Sequence, residues 1–283
     1  MDFLITILEQ GMIYGILALG VYITYKIPLG AAITAALVTR GVNPYLTLPL
    51  AFLAGAAAGM CTGLIHVKCR VRDLLSGIIM MTALWTINLY IAGTANVPLF
   101  SQESIFKNDF LNKHIPSALA PYKTLIIILA IALACKVLLD LYLKTKSGYL
   151  LRAVGDNDVV VTALAKDQGN VKILGLAIAN GLVSLAGCVF AQEERVFEIS
   201  MGTGAIVIGL ASVIIGTSLF KKVSFIGTTA AVLAGSVIYK ACVAIALRNF
   251  EPRAMKLITA VLFLVILVIS MERKAKVNKD ARA

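Results

Sequence analysis

Of 283 residues, 59% are hydrophobic and only 14% are charged, against roughly 45–50% and about 25% in soluble domains. A globule of this size buries only about three quarters of its chain surface, so the composition excludes a soluble fold and requires lipid around it. The net charge of +11 raises nucleic acid as a partner, but the basic residues sit in short clusters between apolar runs without interleaved aromatics, which argues against a nucleic-acid groove.

A spanning helix needs about 20 mostly apolar residues, because the hydrocarbon core is ~30 Å thick and each residue rises ~1.5 Å. In chain order, runs near that length cover residues 3–25, 45–65, 74–93, 122–143, 173–191, 204–220, 225–247 and 254–271. A shorter run covers residues 29–39 and reaches about half way across as a helix. Short or broken helices at that depth are tolerated where protein or a cavity surrounds them. The expectation is a single all-α domain over residues 1–283, a polytopic transmembrane bundle of eight full spans plus one short element. The first run lacks a basic leader and begins with Asp2, so it reads as a permanent span rather than a cleaved signal.

Orientation follows from the basic residues. One set of loops holds Lys26; Lys68, Arg70 and Arg72; Lys144, Lys146, Arg152, Lys166 and Lys172; Lys221 and Lys222; and Arg273, Lys274, Lys276, Lys279 and Arg282. The opposite set, with Arg40, Lys107, Lys113, Lys123, Arg195, Arg248, Arg253 and Lys256, is poorer. The positive-inside rule then predicts the first set and the C-terminus in the cytoplasm. Two loops are long. Residues 94–121 lie outside, with Asn96, Pro98, Pro116 and Pro121 suiting a lid or docking surface. Residues 144–172 lie inside, with a short helix expected over 158–166; an unstructured loop of that length would be unusual.

Small residues at four-residue spacing let helices approach closely where lipid supplies no drive to associate. Gly55, Gly59 and Gly63 form such a stripe, as do Gly11 and Gly15, and internal packing or a homodimer seam would use them. Within the spans, Lys136 and Lys240 raise a site hypothesis, although both suit snorkelling to the interface, and Asp140 is a possible i,i+4 partner for Lys136. Glu9 and Gln10 are the acidic and amide groups nearest to a proton-relay candidate. Uncharged polar residues suit a permeation path better: Thr82, Thr86 and Asn88, then Asn180 and Ser184 one turn apart on one face, and Ser212. Each of these could equally bond a neighbouring helix. The 201–204 segment (MGTG) reads as a hinge or as an ordinary turn.

Catalytic and cofactor chemistry are not visible. Cys61, Cys69, Cys135, Cys188 and Cys242 are scattered without a C-x-x-C pair, and His66 and His114 lie far apart, so no metal site is read. Neither a G-x-x-x-x-G-K-[S/T] phosphate loop nor an H-E-x-x-H motif occurs, so ATP is not bound by that device and no hydrolytic centre is found.

The segment 144–157 (KTKSGYLLRAVGDN), followed by 163–165 (ALA) and 174–180 (LGLAIAN), resembles the cytoplasmic region of bacterial ATP-binding-cassette (ABC) importer permeases. The relatives are those for branched-chain amino acids and simple sugars, nearest to permeases labelled tryptophan/tyrosine transport components. Segments 28–32 (PLGAA), 82–88 (TALWTIN), 96–99 (NVPL) and 206–216 (IVIGLASVIIG) extend the likeness over most of the chain. The resemblance implies a homodimeric permease for a small solute, an amino acid and perhaps an aromatic one. It also implies a separate ABC ATPase subunit, an extracytoplasmic solute-binding protein and a bacterial inner-membrane location. It assigns the ATPase-coupling role to Arg152, Ala153, Gly155, Asp156, Asn157, Ala163 and Leu164. Two departures stand out: the family motif Ala-Leu-Gly-Ile is replaced by 163–166 (ALAK), and the acidic stretch that relatives carry before PLGAA is missing, Lys26-Ile27 running directly into Pro28. An ATP-independent secondary transporter or channel is the alternative reading; it would favour inverted repeats or mid-span ionisable groups.

Overall fold

The computed structural model describes residues 2–20, 27–107, 121–156, 168–202, 205–220, 227–249, 257 and 259–268. Its helices are α1 (Asp2–Gly20), α2 (Ile27–Val38), α3 (Pro44–Val67), α4 (Asp73–Ala92), α5 (Lys123–Leu143), α6 (Lys146–Asp156), α7 (Gln168–Glu194), α8 (Ala205–Leu219), α9 (Thr228–Asn249) and α10 (Thr259–Val268). The chain is a polytopic helical bundle. Among the described residues six helices, α1, α3, α4, α5, α7 and α9, are long and apolar enough to cross a membrane. The expected spans at 204–220 and 254–271 appear there as the shorter apolar helices Ile208–Leu219 and Thr259–Val268.

Local chemistry sets the boundaries. Gly41, at φ +76°, turns the chain between α2 and α3, a left-handed conformation that costs glycine little. The Asn43 side chain then accepts from the Tyr45 amide at 3.0 Å, capping α3, and Pro44 opens the helix where no amide hydrogen is needed. α4 ends on Gly93 at φ +79°, a left-handed C-cap. Ile27 and Pro28 lie in one unbroken helix, α2.

α7 is the hub. About 67% of its spanning window is buried, against 17% for α4 and for α5, so α7 is the interior helix and the other two lie at the periphery. Val183, Cys188, Val189 and Ala191 on α7 are fully buried. α3 runs antiparallel to it: Gly55 faces Asn180 and Ser184, Gly59 faces Leu176 and Ala177, and Gly63 faces Ile173. α1 is also antiparallel, with Gln10 bonded to Glu194 at 3.3 Å and Gly20 against Ala179 and Val183. α2 starts level with the middle of α7, since Gly30 packs on the Ser184 backbone. Twelve residues give α2 a length of ~18 Å, so it covers only half of the bundle's depth.

The two ends differ in character. At one end, Val67 meets Gly169 and Thr229 Oγ1 donates to Asp140 Oδ1 at 2.7 Å. The inter-helix turns there carry Lys68, Arg70, Arg72 and Lys144, and the first turns of α7 add Lys172; this is the basic end. At the other end, strand β1 (Asn96–Pro98) pairs antiparallel with β2 (Val196–Glu198), Val97 opposite Phe197. That ribbon buries Leu99 and Phe197 against Ala31, Ala32 and Ala35 of α2. Leu46, Leu50 and Leu53 on α3, Ile78, Trp85 and Tyr90 on α4, and Leu133, Leu138 and Leu141 on α5 are exposed, the apolar perimeter that acyl chains solvate.

Candidate functional site

The polar residues expected along a permeation path divide into three groups. Asn180 and Ser184 sit at the centre of the bundle with no solvent exposure, beside the glycine stripe of α3. Ser184 Oγ donates to the Ala51 carbonyl at 2.7 Å, holding α3 on α7. Asn180 Nδ2 donates to Leu176 O at 2.6 Å. Its Oδ1 finds no partner among the described residues, and neither does the Oδ1 of buried Asn88 on α4. A buried acceptor without a donor costs about 1–3 kcal/mol, so these two oxygens are the interior positions most in need of one. Ser212 is buried and donates to Ile208 O in its own helix at 2.7 Å, inside the α8–α9 seam where Gly235 meets its carbonyl. Thr82 and Thr86 face outward; Thr82 Oγ1 merely returns to Ile79 O at 2.8 Å.

The glycines lie in close internal seams. A Cβ at Gly59 would approach Ala177 Cα to 2.8 Å, and one at Gly63 would approach Ile173 Cα to 2.9 Å. Gly11 faces Val237 on α9 at 2.9 Å, and Gly15 faces Leu233 and Ser236 of the same helix. Real Cβ atoms essentially never come so close, so glycine is what permits both contacts.

α6 holds the described part of the expected coupling segment. Its apolar residues repeat at helical spacing: Leu151 packs against Gly175 of α7, while Gly148 seats on Tyr142 and Leu143 at the end of α5. The opposite side exposes Tyr149 (59%), Leu150 (38%), Arg152 and Ala153. Gly155 and Asp156 complete the helix; Asn157, Ala163, Leu164 and the helix expected over 158–166 lie outside the described residues, as do Thr203 and Gly204 of the MGTG segment. The sequence alone does not single out Tyr149 and Leu150, because they run into Leu151 and only the fold shows which of these apolar groups is turned to the surface.

Of the two lysines inside spans, Lys136 pairs with Asp140 at 2.8 Å. Lys240 does not snorkel: it is 7% exposed, its Nζ donates to Gln10 Oε1 at 2.8 Å, and it lies 4.6 Å from the Tyr14 ring centroid. A cation over an aromatic face, with an amide oxygen as acceptor, is a satisfied buried charge. Glu193 nearby on α7 has one buried carboxylate oxygen without a partner among the described residues. At the non-basic end, Gln192 accepts from the Ile105 amide at 2.9 Å and donates to Thr47 Oγ1 at 2.9 Å. It thus ties the 94–107 loop to α3 and α7. Among the described residues no group of His, Cys, Asp and Glu is arranged to hold a metal.

Comparison with known proteins gives a consistent result. Residues 3–270 match the family model described as branched-chain amino acid transport system / permease component. The tyrosine transport system permease protein of Clostridioides difficile (strain R20291) is 40% identical over 280 residues, spanning 94% of this chain and 91% of that protein. The ribose import permease protein RbsC of Escherichia coli (strain K12) is 27% identical over 229 residues, 76% of this chain and 70% of that protein. No solved structure matches the chain.

Proposed function

The chain belongs to the family of branched-chain amino acid transport system permease components, and on that premise we propose that it is the membrane-spanning subunit of an ABC importer. It moves a small solute, an amino acid and in the first instance an aromatic one, into the cytoplasm of a bacterial cell. A separate ABC ATPase subunit supplies the energy and an extracytoplasmic solute-binding protein delivers the cargo. The working unit is a homodimer in the inner membrane, with the basic end and the C-terminus in the cytoplasm.

The observation that carries this reading is α6. It is a short amphipathic helix braced on two spans through Gly148 and Gly175, and it turns Tyr149, Leu150, Arg152 and Ala153 outward at the basic end. A lever that transmits motion must be firm behind and adhesive in front, and α6 has both properties. Gly155, Asp156, Asn157, Ala163 and Leu164 continue the proposed contact. ATP binding and hydrolysis on the partner then shift the permease between outward-open and inward-open states by differential contacts. Asn88 and Asn180, whose oxygens lack donors among the described residues, are the proposed solute contacts; Thr82 and Thr86, which face outward, and Ser184 and Ser212, which bond backbone carbonyls, are not proposed to touch the solute. The likeness to a tyrosine permease supports an aromatic amino acid as cargo.

Tagged protein extracted in mild detergent is expected to bring down an ABC ATPase subunit, and cellular uptake of labelled tyrosine is expected to collapse when ATP is depleted. Uptake that persists without ATP would establish the secondary transporter or channel instead.

A further inference from the structure

We propose that the turn between α3 and α4 is a binding site for an anionic phospholipid. The sequence there is Lys68-Cys69-Arg70-Val71-Arg72-Asp73, and the three cations are exposed. Among the described residues no carboxylate comes within ion-pair range of Lys68, Arg70 or Arg72. His66, Arg70, Val71, Arg72 and Asp73 line a shallow cavity that is open to the surface.

The turn is held in a defined shape. Lys68 N donates to Leu64 O at 2.8 Å, Cys69 N to the same oxygen at 3.4 Å, and Val71 N to Ile65 O at 3.5 Å. His66 Nδ1 lies 2.8 Å from Val71 O and 2.7 Å from Asp73 Oδ1, so one imidazole braces both sides of the cavity. The single acidic group of the site is thereby engaged by histidine, leaving the guanidinium groups for an outside anion. Arg70 adopts φ +54°, a left-handed backbone that glycine takes freely and arginine takes at a cost. The sequence accepts that cost and keeps a cation at the mouth of the cavity.

The surroundings select the kind of anion. Met60 and Leu64 on α3, and Leu75, Ile78 and Ile79 on α4, are all exposed and rise from the turn along the membrane-facing surface. A soluble anion would use the cations alone. A phospholipid uses both features, its phosphate forked by guanidinium groups and its acyl chains laid along the apolar residues. Basic clusters immediately beside a span attract anionic headgroups in this way.

The test is native mass spectrometry of the full chain in neutral detergent, titrated with phosphatidylglycerol, phosphatidylcholine or water-soluble glycerophosphate. The wild type is expected to retain phosphatidylglycerol at least about tenfold better than phosphatidylcholine, with glycerophosphate failing to compete. Arg70→Gly combined with Arg72→Gln is expected to erase the preference while leaving the melting temperature in detergent unchanged, since glycine suits the backbone at position 70. Lys107→Gln, remote from the turn, should keep the preference, and Arg72→Gln alone reads out the same loss should the double variant fold poorly. Equal retention of the two lipids by the wild type, a preference surviving in the folded variants, or full competition by glycerophosphate would each overturn the proposal, the last in favour of a soluble-anion site.

Discussion

Replacing Gly59 with leucine is expected to abolish folding of the bundle, whereas the same change at Gly77 leaves it intact. A Cβ at Gly59 would meet the Leu176 carbonyl, Ala177 Cα at 2.8 Å and Asn180 Cβ at 2.9 Å. Two of these are backbone atoms of α7, the most buried spanning helix, and they have no rotamer with which to yield. Moving α3 away would also open the contacts of Gly55 and Gly63 and break the Ser184–Ala51 hydrogen bond. Ordinary overpacking costs about 1–3 kcal/mol; a collision with a helix backbone at a shared seam should cost about 3 kcal/mol or more, a large part of a typical stability. A Cβ at Gly77 meets nothing within 4 Å, and losing a mid-helix glycine gains up to about 1 kcal/mol. Folded yield on size exclusion and thermal unfolding in detergent check the pair. Equal yields would show that the α3–α7 seam is not the tight contact described.

Reversing the charge at Arg152 is expected to cut ATP-driven uptake by at least about tenfold, or about 1.4 kcal/mol of coupling, with no change in thermal stability. Arg152 is exposed on α6 and has no ion-pair partner among the described residues, so Arg152→Glu removes no internal contact. It does place a negative charge beside Tyr149 and Leu150, on the side proposed to seat in the ATPase. Like-charge or mismatched contacts of this kind cost far more at a docking surface than on open protein. Leu151→Ala behaves differently, because Leu151 packs against Gly175: it loosens the brace and lowers stability and uptake together. Uptake by reconstituted vesicles, alongside melting curves, separates the two. Full uptake by a well-folded Arg152→Glu would remove α6 from the proposed coupling route.

Much of this architecture is legible before any neighbour is known. Runs of apolar residues mark most spans because lipid demands an unbroken hydrocarbon surface, and the eleven-residue run at 29–39 stands out as too short, which corresponds to α2 (Ile27–Val38). Spacing puts Gly55, Gly59 and Gly63 on one face, but only the fold shows that α7 occupies it. Partners distant in sequence are what the chain conceals. Lys240 looks like a snorkelling residue until Gln10 and Tyr14 of α1 are brought to it. Asn180 and Ser184 share a helical face with no sign of how each is bonded; α3 takes the Ser184 hydroxyl and leaves Asn180 Oδ1 without a donor among the described residues. The β1–β2 ribbon is equally hidden, because three-residue strands have no periodicity to read and pair only when α4 and α7 end side by side. A helix at Lys146–Asp156 is hard to read because Gly148 and Gly155 lower helix propensity, although Gly148 packs closely against the end of α5.

Site-specific cross-linking from Ala153 tests most directly whether a separate nucleotide-hydrolysing subunit drives this permease through α6. The exposed cysteines Cys61, Cys69 and Cys242 are first replaced by serine, and a single cysteine is then placed by Ala153→Cys or, at the opposite end, by Thr94→Cys. In an assembly that retains ATP-driven uptake, the cysteine at 153 should cross-link to the ATPase subunit in high yield and the one at 94 should not. An active assembly in which position 153 captures no ATPase, or in which position 94 does, would contradict the account.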